Sequence, residues 1–278
     1  AGDHVVLQQT LYGGTYNLIN EEFSKYGIEY SFTSGWNAEA FEAEIKANTK
    51  VIYIETPSNP LLTITDLEAI AALAKKHGLI TMIDNTFASP VNQNPIDFGI
   101  DIVIHSATKY MGGHSDICAG AVASTTENMD RIFQLAKNFG GSLSDYTVWL
   151  LERSMKTMGI RVKAQNENAL AMAIFLDELE EVEKVYYPGL PTHIDHDIAK
   201  KQMKGYGGML SFELNEKLDS SKFQKALNLI KPSMSLAGVE STVLSPTQTS
   251  HALMSAEVRA EQGISDGLIR FSLGIEEI

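Results

Sequence analysis

Ile80-Thr81-Met82-Ile83-Asp84-Asn85-Thr86-Phe87-Ala88-Ser89-Pro90, followed after a short connector by Asp101-Ile102-Val103-Ile104-His105-Ser106-Ala107-Thr108-Lys109-Tyr110, decides how this chain folds. Two short apolar runs each end in polar residues. Ile80–Ile83 ends in Asp84, and Ile102–Ile104 ends in His105, Ser106, Thr108 and Lys109. Runs of this length bounded by turn residues predict buried strands. In open α/β sheets, ligands bind beyond the carboxyl ends of the strands. The stretch therefore offers a carboxylate, two hydroxyls and one amine at neighbouring strand ends, a set that suits a charged, phosphorylated aldehyde.

The same pattern extends outward. Gly2–Leu7 reads as a turn entering a strand, and Ile28–Phe32 as a second strand. Ala38–Ala47 reads as an amphipathic helix, and Val51–Ile54 as a strand ending in Glu55. Thr56-Pro57-Ser58-Asn59-Pro60 is a loop stiffened by its prolines. Thr65-Asp66-Leu67-Glu68 reads as a capping box opening a helix to about His77, closed by Gly78. Ala119–Ser124 reads as another buried strand and Asn128–Asn138 as a helix. Alternating strands and helices predict an α/β fold, with a mainly parallel sheet and helices on both faces. Beyond Ser144 two long helices, about Tyr146–Thr157 and Arg161–Leu179, precede strands Gly208–Leu214 and Ile269–Leu273 and a helix Ser220–Ile230. That change predicts a large domain over 1–158 and a smaller α+β domain over 159–278.

Composition narrows the function. The chain has 278 residues, and its 22 Lys and Arg against 35 Asp and Glu give a net charge of −13. This disfavours non-specific binding to nucleic acid or an anionic membrane. No apolar run reaches the length of a membrane span. Cys118 is the single cysteine, so no intrachain disulfide forms, in keeping with a reducing cytoplasm. The expectation is a cytoplasmic protein with a small-molecule ligand and no nucleic-acid or membrane partner.

Several residues carry candidate chemistry. A lysine held partly out of water loses proton affinity and becomes nucleophilic, which makes Lys109 a Schiff-base candidate; a solvated surface lysine is the alternative. Asp84 ends a buried strand and needs a partner, either a protonated ring nitrogen or an internal cap or ion pair. Ser106 and Thr108 suit a phosphate or ordinary backbone hydrogen bonding. Arg270 lies on a late strand and suits a substrate carboxylate or an internal Asp or Glu. Tyr12-Gly13-Gly14 reads as a helix start, or as a turn that admits a flat ligand. His193-Ile194-Asp195-His196-Asp197 lacks metal-ligand spacing and reads as a solvated helix-entry loop. Cys118 reads as a small buried residue, and no metal site is expected.

Five separate motifs then agree in order: Tyr12-Gly13-Gly14-Thr15; Glu55 through Pro60; Ser106–Tyr110 with Gly113-His114-Ser115-Asp116; Ser235-Leu236-Ala237-Gly238-Val239-Glu240-Ser241; and Leu268–Ser272. With them the chain resembles, along essentially its whole length, the Cys/Met-metabolism family of pyridoxal-phosphate enzymes. The resemblance implies a fold type I, aspartate-aminotransferase-like architecture and pyridoxal 5'-phosphate as cofactor. It implies Lys109 as the lysine bonded to the cofactor and the proton-transfer base, and Asp84 as partner of the ring nitrogen. Tyr12 would stack on the ring and serve in acid–base steps. Ser106 and Thr108 would hold the phosphate. Asn59 would contact the ring hydroxyl side, with Glu55 supporting it. Arg270 and Ser235 would bind the substrate carboxylate.

The implied reaction is γ-elimination or γ-replacement on sulfur amino acids, of the cystathionine γ-lyase or γ-synthase type. O-acetylhomoserine sulfhydrylase and methionine γ-lyase are the alternatives, and a catalytically silent structural subunit is the non-enzyme one. Gly14 stands where methionine γ-lyases usually carry cysteine, and Met234 where cystathionine-handling enzymes often carry an acid. The resemblance further implies a homotetramer of dimers with shared sites. Family members carry a segment before the equivalent of Gly2 and a last helix after the equivalent of Ile278, so the chain is expected to be part of a longer protein.

Overall fold

The computed structural model describes residues 1–249, 259 and 263–277. Its strands are β1 (His4–Leu7), β2 (Glu29–Phe32), β3 (Thr49–Glu55), β4 (Ile80–Asp84), β5 (Ile102–Ser106), β6 (Gly120–Ala123), β7 (Val182–Tyr186), β8 (Met209–Leu214), β9 (Lys231–Pro232), β10 (Thr242–Leu244) and β11 (Leu268–Ser272). The helices are α1 (Gly13–Glu22), α2 (Ala38–Ala43), α3 (Leu67–His77), α4 (Ser89–Asn92), α5 (Thr126–Phe139), α6 (Asp145–Met155), α7 (Met158–Asp177), α8 (His196–Gln202) and α9 (Ser220–Ala226).

The first sheet runs β2-β1-β3-β4-β5-β6, parallel throughout except for β6, which pairs antiparallel with β5. Its inner strands β3, β4 and β5 are rich in Ile, Val and Met, as strands in the middle of a parallel sheet require. Ile52, Ile54, Ile83 and Val103 pack beneath Leu67, Ile70, Leu73 and Ala74 of α3. Leu7, Leu11 and Ile19 form a separate cluster with Tyr53 packed against it. Register then fixes the chemistry. Glu55 pairs with Asp84 at the carboxyl ends of β3 and β4, and β5 ends beside them at Ser106.

The second sheet runs β7-β8-β11-β10-β9, antiparallel apart from the β9–β10 pair. Its core joins Leu210, Phe212, Ile269 and Phe271 to Ala169, Ala173 and Leu176 of α7. Earlier on α7, Val162 packs instead with Tyr110 and Leu236. The helix thus carries side chains to both sides, and residue 159 falls in its first turn.

Several expectations change. β6 is an exposed edge strand rather than a buried one, because its residues, Gly, Ala and Val, are small and close one side of the sheet. α2 and α9 stop sooner than the periodicity predicted, at Ala43 and Ala226. Asp66, not Thr65, caps α3 by accepting from Ala69 N at 3.0 Å; the Thr65 hydroxyl donates to Gln8 Oε1 at 3.1 Å. His193 and Asp195 are buried, not solvated. Asp195 accepts from Ile64 N at 2.9 Å and from Trp36 Nε1 at 3.3 Å, tying the chain before α8 to the first sheet's loops. Cys118 is exposed, because Ala119 takes the inward position beside it.

Arg161 at the start of α7 is buried and holds the turn after β5. It donates to Tyr110 O at 2.9 Å, Ser154 O at 2.9 Å and Met111 O at 3.4 Å, and its Nε to Thr157 Oγ1 at 3.2 Å. Gly113 lies against it with φ +68°, and a Cβ there would overlap the guanidinium. Arg161→Ala strands the Tyr110 and Met111 carbonyls. We expect it to lower unfolding free energy by about 3 kcal/mol, with Arg161→Lys recovering only part because an ammonium lacks the planar fork. Urea unfolding of both variants checks this.

Candidate active site

The strand ends bring Tyr12, Glu55, Asn59, Asp84, Ser106, Thr108, Lys109, Ser235 and Arg270 to the wall of one cavity of about 370 Å³. Residues from β3, β4, β5 and the turn after it meet residues from the 233–241 loop and β11 across it. Tyr12 precedes α1 and is exposed, with its ring at the cavity. Its amide donates to Glu55 Oε2 at 2.7 Å, while Asn59 N donates to Glu55 Oε1 at 3.2 Å. Glu55 thereby ties the tyrosine and the proline-rich loop to the end of β3. Burial, and then the Asp84 charge, push its carboxyl up to about 8.

Asp84 is raised above the usual carboxylate range by burial, an effect opposed by hydrogen bonds from Thr86. Thr86 N donates to Asp84 Oδ1 at 3.0 Å, and the Thr86 hydroxyl donates to the same oxygen. That hydroxyl also accepts from Ser106 N at 2.8 Å. Thr86 therefore fixes the carboxylate and couples the ends of β4 and β5. A cation placed at Asp84 would return it to its charged form, because opposite charge offsets the burial penalty.

Lys109 follows β5 in a tight turn, with its amide donating to Ser106 O at 3.0 Å. It is half-buried, and burial followed by the nearby Arg270 charge lowers its amine below the ordinary lysine value. The amine is thus biased toward the neutral, nucleophilic form. Ser106 Oγ has no hydrogen-bond partner among the described residues. The Thr108 hydroxyl accepts from Ala119 N at 2.9 Å and donates to Ala119 O at 3.2 Å. Of the two, Ser106 is the freer donor.

Arg270 is buried on β11, and burial lowers it to about 10. It donates to Asn59 Oδ1 at 3.3 Å and Met234 O at 3.1 Å. Among the described residues no carboxylate forms a salt bridge with it, so the internal acid partner considered above is missing. A buried guanidinium without a counter-charge facing a cavity is costly unless a bound anion supplies one. Ser235 stands beside it in the same wall.

Thr86, Phe87, Cys118, Met234 and Leu236 also line the cavity. Thr86 had a legible signal, a hydroxyl two residues after a strand-end aspartate, which is the spacing of a side-chain turn. The others are apolar or weakly polar and depend on how the loops close.

The donors fit pyridoxal phosphate. A depressed lysine amine, an aspartate in need of a cation, a free hydroxyl at a strand end and an unpaired arginine share one cavity. A sequence profile of the family described as "Cys/Met metabolism PLP-dependent enzyme" matches residues 1–278. A cystathionine β-lyase of Lactococcus lactis subsp. cremoris is 46% identical over all of this chain and 73% of its own length. A cystathionine γ-lyase of Bacillus subtilis is 44% identical, again over all of this chain and 73% of its own. The crystal structure of cystathionine γ-lyase from Lactobacillus plantarum complexed with L-serine superposes with a TM-score of 0.96 at 42% identity. It covers all of this chain and 73% of that one.

Proposed function

Because the chain belongs to the Cys/Met metabolism family of pyridoxal-phosphate-dependent enzymes, we propose that it cleaves the carbon–sulfur bond of cystathionine by γ-elimination. The observation that carries this reading is the cavity itself. Lys109 and Asp84 stand at adjacent strand ends, and Arg270 faces them without a carboxylate partner.

Lys109 would hold the cofactor at its aldehyde, Asp84 at its ring nitrogen, and Ser106 and Thr108 at its phosphate. When bound, it supplies a sink for the negative charge that develops at the substrate Cα. Tyr12 would cover the ring, held in place by Glu55 through the Tyr12 amide. Asn59 orients Arg270. Arg270 and Ser235 take the substrate carboxylate, which fixes the Cα proton relative to Lys109. Lys109, biased toward its neutral form, removes that proton. Tyr12 is the proton donor or acceptor at the amino group and leaving sulfur. A second proton then leaves Cβ, the Cγ–S bond breaks and the sulfur leaves protonated as a thiol; reprotonation of the remaining carbon chain and hydrolysis yield a 2-oxo acid and ammonia.

A second reading, β-elimination, is favoured by the 46% identity to a named β-lyase. The two differ in product. Cystathionine gives 2-oxobutyrate by γ-elimination and pyruvate by β-elimination. We expect 2-oxobutyrate from the full-length protein with cystathionine. Pyruvate alone would move the assignment to β-elimination. Turnover only of methionine, or of O-acetylhomoserine with sulfide, would reject both.

The assembly follows the same reading. α5 buries none of its residues, and Phe133, Leu135 and Phe139 stand exposed on it, with Tyr146 and Trp149 exposed on α6. Apolar faces this broad suit burial against further copies of the chain, and we infer a homotetramer built from dimers. No helix among the described residues is long and apolar enough to cross a membrane. The lone exposed cysteine suits the reducing cytoplasm in which we place the enzyme.

A further inference from the structure

The wall of the cavity around Arg270 is built by the 233–241 loop, which supplies the Met234 carbonyl, Ser235 and Leu236. This loop belongs to no long strand, and Ala237 within it adopts φ +60°, a conformation that an alanine holds only when its surroundings impose it. Its fastenings converge on the chain segment that carries Arg270. Ala237 N donates to Ser272 Oγ at 2.7 Å. Ser241 N donates to Glu276 Oε1 at 2.6 Å, and Ser241 Oγ to Glu276 Oε2 at 2.9 Å. The same Ser241 Oγ accepts from Gly274 N at 2.9 Å, and Ile275 N donates to Val239 O at 2.9 Å. A Cβ on Gly274 would overlap Val239 O and the Glu276 carboxylate.

Arg270 and Ser272 lie two residues apart at the end of β11, and the chain that follows carries Gly274 and Glu276. The first faces the cavity and the other three grip the loop. Glu276 is itself held on α7, where Asn168 Nδ2 donates to Glu276 O at 2.7 Å and to Gly274 O at 3.1 Å. Both carboxylate oxygens of Glu276 are spent on one residue of the loop. Such paired, charge-assisted contacts set position as well as stability.

We propose that Glu276 is a positioning residue for the carboxylate-binding end of the cavity. Through Ser241 it sets the seat of the loop that brings Met234 O against Arg270 and Ser235 to the wall. This rests on the reading of Arg270 and Ser235 as the substrate-carboxylate ligands. Glu276 is not among the residues that line the cavity, so its loss should weaken substrate binding and leave proton transfer at Lys109 intact.

The test uses the full-length, cofactor-loaded protein and the variants Glu276→Gln, Ser241→Ala and Arg270→Lys. The readouts are KM and kcat for cystathionine, and calorimetric Kd for L-alanine, which has no leaving group. We expect Glu276→Gln and Ser241→Ala each to raise Kd and KM about tenfold, the scale of one charge-assisted hydrogen bond, with kcat within about twofold. The double variant should lose less than the sum of the two single losses, because the two substitutions share the Ser241 Oγ–Glu276 contact. Ser241→Ala removes one hydroxyl only and decides the matter if Glu276→Gln fails to fold. If Arg270→Lys weakens L-alanine while both loop variants bind it normally, the positioning role is wrong. If Arg270→Lys itself binds normally, the reading of the carboxylate site is wrong instead.

Discussion

Lys109→Ala should lower kcat/KM at least about 10³-fold, the largest loss of any single substitution in this chain. A positioned general base alone contributes roughly 10²–10⁴-fold, and here the same amine is also assigned to hold the cofactor. The magnitude follows from its setting. Burial and the Arg270 charge lower the Lys109 proton affinity, so more of the amine is neutral near pH 7 than for a solvated lysine. Among the described residues no other lysine lines the cavity. The effect should lie mainly in kcat, since the carboxylate ligands assigned here, Arg270 and Ser235, are untouched. Added methylamine should recover part of the rate, because it returns a small base to the space the side chain leaves. Steady-state kinetics with cystathionine, with and without the amine, provides the check. A loss below about tenfold would remove Lys109 from the proton transfer.

Asp84→Ala should cost about 10²–10³-fold in kcat, the scale of removing one preorganised charge or dipole at a developing charge. Thr86 holds the carboxylate by amide and hydroxyl together, so it is fixed before any ligand arrives. Asp84→Asn keeps the shape and both acceptor contacts but cannot balance a protonated ring nitrogen. The two variants should therefore lose similar activity if charge is what matters. Full activity in Asp84→Asn would reduce Asp84 to a structural cap. The absorbance of added pyridoxal phosphate should also shift in both variants relative to the parent, a readout independent of turnover.

Much of the architecture is legible in short runs of residues. Ile80–Ile83 and Ile102–Ile104 are long enough to be buried strands and too short for helices. Their polar ends land at the carboxyl edge of a parallel sheet, beside Glu55 in register with Asp84. The chemical types of Lys109, Asp84 and Arg270 suggested partners before their neighbours were known. What stayed hidden is tertiary. Arg161 reads as one residue of a helix, and only the packing of α7 brings it to the carbonyls of Tyr110 and Met111. His193 and Asp195 read as a polar loop because the donors that Asp195 accepts from, Ile64 N and Trp36 Nε1, lie far away in sequence. Cys118 reads as buried since small apolar residues usually are, yet it faces the cavity. The capping box misled by one residue, because Thr65 finds Gln8 instead of its own helix.

The most direct measurement is borohydride reduction of the purified full-length protein with pyridoxal phosphate bound, followed by peptide mapping. One reduced pyridoxyl group is expected, on the peptide containing Ser106–Tyr110 and at Lys109, with loss of the visible absorbance. A group mapped to another lysine, or no stable incorporation in a folded protein, would contradict it.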